Sequence, residues 1–254
     1  MQADFWLEKW TQPKQGWVQE KVNSRLVRYW PQLGLQPSAN VLVPLCGDSI
    51  DLDFLVSAGY RVCGAELSKS AIVGWAERHS LQLEETGTVG QDNSVSHFSL
   101  KAEASNGLVH LKPDQLRSAQ QNNLPVQPQL APHFICGDFL KLRVTDLPYA
   151  PAAVYDRAAL IALPPDMRKL YAAKLAELLQ AGSKILLITL AYDQAQMKGP
   201  PFSVQDDEVE NLFKVAFNIE RIGSSAGPEI VGNLSERGLD TASESVFLLT
   251  RNTG

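Results

Sequence analysis

The sequence predicts a doubly wound α/β fold on a mostly parallel sheet, preceded by an N-terminal helical arm. Two observations carry this. Short apolar runs of strand length recur along the chain, and stretches of helical periodicity alternate with them, several closed by a glycine. The 254 residues are enough for one domain with a substantial core, and a single domain over 1–254 is the expectation.

The elements follow in order. In the arm, residues 1–38, NSRLVRYWPQLG spaces Leu26, Val27, Trp30 and Leu33 as one helix face, with Asn23 as N-cap and Pro31 ending or kinking the last turn. Val41 to Leu45 reads as a buried parallel strand, Asp51 to Ala58 as the helix after it, and Gly59 as its stop. YRVCGAEL, Tyr60 to Leu67, repeats the scheme, and a helix over Lys69 to His79 carries Ala71, Ile72 and Trp75. From about 82 to 132 the pattern dissolves into Ser, Gly, Asn, Gln and Pro, which reads as a polar insertion at the surface. Strands return at His133 to Cys136 and Ala153 to Asp156. Pro164 and Pro165 open a helix whose stripe is Met167, Leu170, Tyr171, Leu175, Leu178 and Leu179, closed by Gly182. Lys184 to Leu190 is the most apolar strand. Ser203 and Asp206 form a capping-box pattern before a helix with Val209, Leu212, Phe213 and Ala216 on one face, and Val246 to Thr250 is the last strand.

Bulk properties narrow the function. The 23 basic and 28 acidic residues give a net charge of −5, and no Lys/Arg block could track a phosphate backbone, so nucleic acid is not an expected partner. No apolar run reaches the roughly eighteen residues of a membrane span, and MQADFWLEKW is unlike a signal peptide. Cys46, Cys63 and Cys136 lack CxxC spacing and fall in or beside strands; they read as buried small hydrophobes in a reducing cytoplasm. His79, His97, His110 and His133 have no metal-ligand spacing, and no metal or catalytic triad is expected.

In doubly wound sheets, ligands bind beyond the carboxyl ends of the strands. The first such end, VLVPLCGDSIDL, has Gly47 alone where a dinucleotide site has GxGxxG, and it carries Asp48 and Asp51 where a diphosphate would be repelled. That argues for a ligand without phosphate, and S-adenosyl-L-methionine, an adenosine joined to an amino acid through a cationic sulfonium, is one. Glu66, about twenty residues further on, is where nucleotide sites place an acid on the ribose hydroxyls; a solvated acid at a strand end is the alternative. Asp138 of Gly137-Asp138 could face an adenine or cap a turn.

The strings FWLEKW, VLVPLCGDSIDL, GAELS, VYDRAALIALPP and AYDQAQMKGPPFSV stand in the order in which thiopurine S-methyltransferases carry them. The chain resembles that family, its bacterial members in particular, over nearly its whole length. The resemblance implies a seven-stranded Rossmann-like sheet of the class I methyltransferase type, S-adenosyl-L-methionine as cofactor, and a small-molecule thiol as partner of a cytoplasmic monomer. It also implies cofactor contacts from Trp10, Leu45, Glu66 and Arg157, with Trp17 and Phe202 lining the substrate pocket, beside Gly47, whose lack of a side chain already marks it as the point of close backbone approach. Trp10 and Trp17 would otherwise read as aromatic staples of the arm. The chain departs from the family pattern at Asp48, where members usually carry Lys, in the longer segment 82–132, and near Asn233, where some relatives place a basic residue.

Methyl transfer from a sulfonium needs positioning and desolvation more than a strong acid or base, and no catalytic acid or base is assigned. Aromatic thiols ionise well below the cysteine reference of about 8.5, so Arg157 could stabilise an arriving thiolate. Three readings stay open: S-methylation of thiopurines and other aromatic or heterocyclic thiols; methylation of small nucleophiles such as selenium or tellurium species, halide or thiocyanate; and a silent cofactor-binding protein acting through its polar insertion. A NAD oxidoreductase is disfavoured by the missing glycines.

Overall fold

A computed structural model describes residues 3–11, 19–89, 94–100 and 131–253. The chain divides into two compact units, Gln2–Ala153 and Val154–Gly254.

In the first unit, helices Ala3–Trp10 and Ser24–Tyr29 precede the sheet. Asn23 caps the second, its Oδ1 accepting from the Arg25 N–H at 2.8 Å, and Pro31 falls in a 3-10 turn, Trp30–Leu33, as its missing N–H favours. Strand β1 is Asn40–Pro44 and β2 is Arg61–Glu66; they pair in parallel, Val41 against Val62. The helix between them is Asp51–Ser57, and Gly59, at φ +94°, turns the chain back to the sheet. Helix Lys69–Arg78 follows β2 and buries Ile72 and Trp75.

The polar segment that opens at Gln82 contains more structure than expected. Strands β3, Leu83–Val89, and β4, Val95–Leu100, pair antiparallel, and β4 pairs antiparallel with β5, His133–Cys136, which lies parallel to β2. The order is β3-β4-β5-β2-β1. β3 is almost wholly exposed, so no apolar alternation marks it; Val95 and Phe98 of β4 are the buried side chains that hold the hairpin down. Residues 90–93 and 101–130 of the expected insertion lie outside the described residues.

In the second unit the order is β6-β7-β9-β8. Strands β6, Ala153–Arg157, and β7, Lys184–Ala191, flank helix Pro165–Leu178; β8, Phe217–Gly227, and β9, Ala242–Arg251, complete the unit. β7 and β8 both run antiparallel to β9. Nine strands therefore stand among the described residues where seven were expected. β8 escaped sequence reading because most of its side chains reach solvent.

Two local expectations are corrected. Leu170 is 61% exposed, and the buried face of its helix instead carries Arg168, Tyr171, Ala172 and Leu175, the spacing that one face allows. Ser203 is not an N-cap: helix Asp206–Phe213 begins after Gln205 with no side-chain cap, while the Ser203 hydroxyl donates to the Tyr192 carbonyl at 2.7 Å and closes the loop after β7. The cysteines are free; Cys46 and Cys63 are buried and Cys136 is half-buried, where burial pushes its thiol up to about 11. Among the described residues no helix is long and apolar enough to cross a membrane.

Candidate active site

The carboxyl ends of β1 and β2 bring four of the expected residues to one place. β1 ends at Pro44, and Leu45 follows at φ +48°, with Gly47 at φ +55°. A left-handed residue with a side chain costs about 1–2 kcal/mol, and such strain persists where the surroundings impose it, often at ligand sites. The Gly47 N–H donates to Glu66 Oε2 at 2.9 Å, and the Ser68 N–H donates to Oε1 at 2.8 Å. Glu66 is thus 6% exposed and engaged from both sides, not a solvated acid. Burial raises its carboxyl, while the N–H groups of Ser68, Gly47 and Leu67 work against the rise. A carboxylate oxygen accepts more than one hydrogen bond, so both can also accept from a ligand hydroxyl.

Trp10 lies against this turn. A Cβ on Gly47 would stand 2.8 Å from Trp10 Cζ2 and 3.1 Å from Cη2, so the bare backbone is what admits the indole. A buried acid suited to ribose hydroxyls, a turn with no side chain at Gly47 and an aromatic ring of the kind that attracts cations together fit S-adenosyl-L-methionine.

The acids of the turn are partnered. Asp48 precedes the helix, which begins at Asp51, and it pairs with Arg78 Nη1. Asp51 Oδ1 accepts the Asn23 N–H at 2.8 Å. Asp53 accepts from Trp75 Nε1 at 2.8 Å and stands 3.1 Å from His79 Nε2. Bare acids repelling a diphosphate are therefore not what the turn presents, and the phosphate-free reading rests on its single glycine. Asp138 caps the 3-10 turn Phe139–Lys141, accepting from the Leu140 N–H at 3.0 Å. Of its two readings, the cap is the one realised.

The second unit holds Arg157 and Phe202 on separate elements. Arg157 ends β6, and Ala158 after it adopts φ +70°, a second strained turn beyond a strand end. Asp156 beneath is fully buried; it accepts from the Tyr171 hydroxyl at 2.7 Å and the Leu160 N–H at 3.2 Å. Desolvation nonetheless pushes its carboxyl up to about 6. With Asp156 so engaged, the half-buried Arg157 has no side-chain hydrogen bond or ion pair among the described residues. Phe202 lies in the loop after β7, where its N–H donates to the Ile161 carbonyl at 2.6 Å and its ring packs on Gly199, whose absent Cβ would stand 2.5 Å from Cδ1. The buried Arg168 lies 6.0 Å from the Phe202 ring centre and binds both oxygens of Glu208 at 2.7 Å. Trp17 lies outside the described residues.

Sequence reading missed the Asp48–Arg78 and Asp53–Trp75–His79 contacts and the Arg168–Glu208 pair. Their partners lie 22 to 40 residues apart, beyond any local pattern.

Comparison with known proteins identifies the fold and the family. Among solved structures, 1,6-didemethyltoxoflavin-N1-methyltransferase of Burkholderia thailandensis, with bound S-adenosylhomocysteine, aligns at TM-score 0.54 and 14% identity over 99% of this chain and 87% of its own. A SAM-dependent methyltransferase of Methanosarcina mazei aligns at TM-score 0.55 and 12% identity over 92% of this chain and 100% of its own. The fold is that of class I methyltransferases, and the protein is a methyltransferase that uses S-adenosyl-L-methionine. The family model of thiopurine S-methyltransferase matches residues 1–103 and 109–252. Thiopurine S-methyltransferases of Pseudomonas syringae pv. tomato and Azotobacter vinelandii are 34% and 35% identical, covering 99% of this chain and 99% and 100% of their own lengths. The chain belongs to the thiopurine S-methyltransferase family.

Proposed function

We propose that the enzyme methylates the sulfur of thiopurines and other aromatic or heterocyclic thiols, acting as one domain and as a cytoplasmic monomer. S-adenosyl-L-methionine supplies a methyl group already activated on its sulfonium. Glu66 accepts from the ribose hydroxyls, Leu45 and Gly47 offer the backbone of the turn, and the Trp10 indole covers the cofactor. The Phe202 ring offers an aromatic wall to a flat heterocycle.

The observation that carries the substrate class is the guanidinium of Arg157, at a strand end and with no hydrogen bond or ion pair among the described residues. An unpaired, half-buried cation favours an anionic partner, and an aromatic thiolate is one that needs no general base for activation. The three free cysteines support a reducing compartment.

The test is Arg157→Ala assayed with 6-mercaptopurine. A hydrogen bond to an anion is worth about 1.5–3 kcal/mol, so KM for the thiol should rise by about 10- to 100-fold, with a smaller change for S-adenosyl-L-methionine. The loss should also shrink at pH values where the thiol is neutral. Equal effects on both KM values would defeat this role.

A further inference from the structure

Two contacts hold the Gly47 turn, and only one of them belongs to the cofactor site as described. The Gly47 N–H is bound by Glu66, while one residue later the Asp48 carbonyl accepts from Arg78 Nη1 at 3.1 Å. The same Nη1 binds Asp48 Oδ1, so a single guanidinium grips both the main chain and the side chain of this residue. Helix Lys69–Arg78 is the common frame: Glu66 also accepts the Ser68 N–H just ahead of the helix, and Arg78 ends it. The helix is itself anchored, since Trp75 is fully buried and donates to Asp53 at 2.8 Å, and Arg78 Nη2 stands 3.8 Å from Asp53 Oδ2. Gly74 has no side chain where Asp48 approaches the helix, Oδ2 lying 3.6 Å from where its Cβ would be.

We propose that Asp48 and Arg78 form a clamp that holds the Gly47 turn in the shape that receives S-adenosyl-L-methionine, Arg78 acting as a positioning residue for the cofactor. An exposed ion pair contributes little by itself. This one differs because its cation also takes a main-chain carbonyl of the turn, so releasing it frees backbone that must be re-ordered when the cofactor binds. Opposite charge at the two positions is required, and a lysine at 48 would face Arg78 as a like charge.

The proposal rests on the assignment of Glu66 and Gly47 to the cofactor, and the experiment separates the two. Affinity for S-adenosylhomocysteine is measured by calorimetry on the full chain, with kcat and both KM values from a methylation assay. Asp48→Asn and Arg78→Lys should each weaken cofactor affinity severalfold and Asp48→Lys by more than either, with KM for the methyl acceptor and kcat at saturating cofactor little changed. A merely structural ion pair would lower the melting temperature without this split between cofactor and acceptor. Wild-type affinity in folded Arg78→Lys and Asp48→Asn overturns the clamp. If Asp48→Lys does not fold, Arg78→Lys decides alone, because it keeps the charge and loses the fork. Unchanged affinity in Glu66→Gln would instead overturn the assignment of the site itself.

Discussion

Replacing Asp156 by Asn should make the protein's stability less dependent on pH, by an amount that follows from the burial of this carboxyl. Asp156 is fully buried, and its carboxyl stands at about 6 against an ordinary value of 3.8. The folded protein therefore takes up this proton more readily than the unfolded chain. The stabilisation is fully present below about pH 3.8 and is lost as pH rises through about 6. At about 1.4 kcal/mol per pH unit the whole effect is about 3 kcal/mol, and the portion between pH 5 and pH 8 is about 1.4 kcal/mol. In Asp156→Asn the amide oxygen can still accept the Leu160 N–H, and the Tyr171 hydroxyl can accept from the amide nitrogen, so the local fold has partners. Urea unfolding at pH 5 and pH 8 measures both proteins. Subtracting the variant from the wild type removes the contribution of Asp48, which burial also raises to about 6. The difference should change by about 1.4 kcal/mol in favour of the wild type at pH 5, or about 3–5 °C in Tm for a chain of this size. A flat difference would refute the account of Asp156 as a strained buried acid.

Two further outcomes test the packing of the sites. Gly47→Ala and Gly34→Ala both place a side chain at positive φ, but only the first meets a neighbour, the Trp10 indole. Both should lose about 1–2 kcal/mol of stability, whereas only Gly47→Ala should weaken S-adenosylhomocysteine binding in calorimetry, by about tenfold; equal affinities would remove the turn from the site. Glu208→Ala strands the buried Arg168 and should cost about 3 kcal/mol in thermal unfolding. Asp206→Ala breaks the exposed pair with Arg221 and should cost less than about 1 kcal/mol.

What was legible in the sequence follows the reach of each signal. β1, β2, β5, β6 and β7 were visible because buried strands read as continuous apolar runs, and the helix at Ser24 because its cap lies one residue away. β3 and β8 were not, since exposed strands carry no hydrophobic period. The Gly47 turn and Glu66 could be placed by position along the chain. The partners of Asp48 and Asp53 could not, because a helix separated by a strand brings them in. Arg168 was overlooked for a related reason: an arginine inside an apolar stripe reads as a polar interruption until Glu208, forty residues later, is seen to neutralise it. The roles of Arg157 and Phe202 came from resemblance; no spacing rule would have singled them out.

The carboxylate of Glu66 also bears on the heat of cofactor binding. Both of its oxygens are already held by backbone N–H groups of the loops they join, so the carboxylate has one orientation before any ligand arrives. The ordering of these loops thus belongs to folding, and association should be led by enthalpy with little entropic penalty from this side of the pocket. Glu66→Gln keeps one acceptor oxygen and must turn an NH2 group toward a donor N–H. In that variant the penalty should reappear as a less favourable binding entropy, a signature that affinity alone would not reveal.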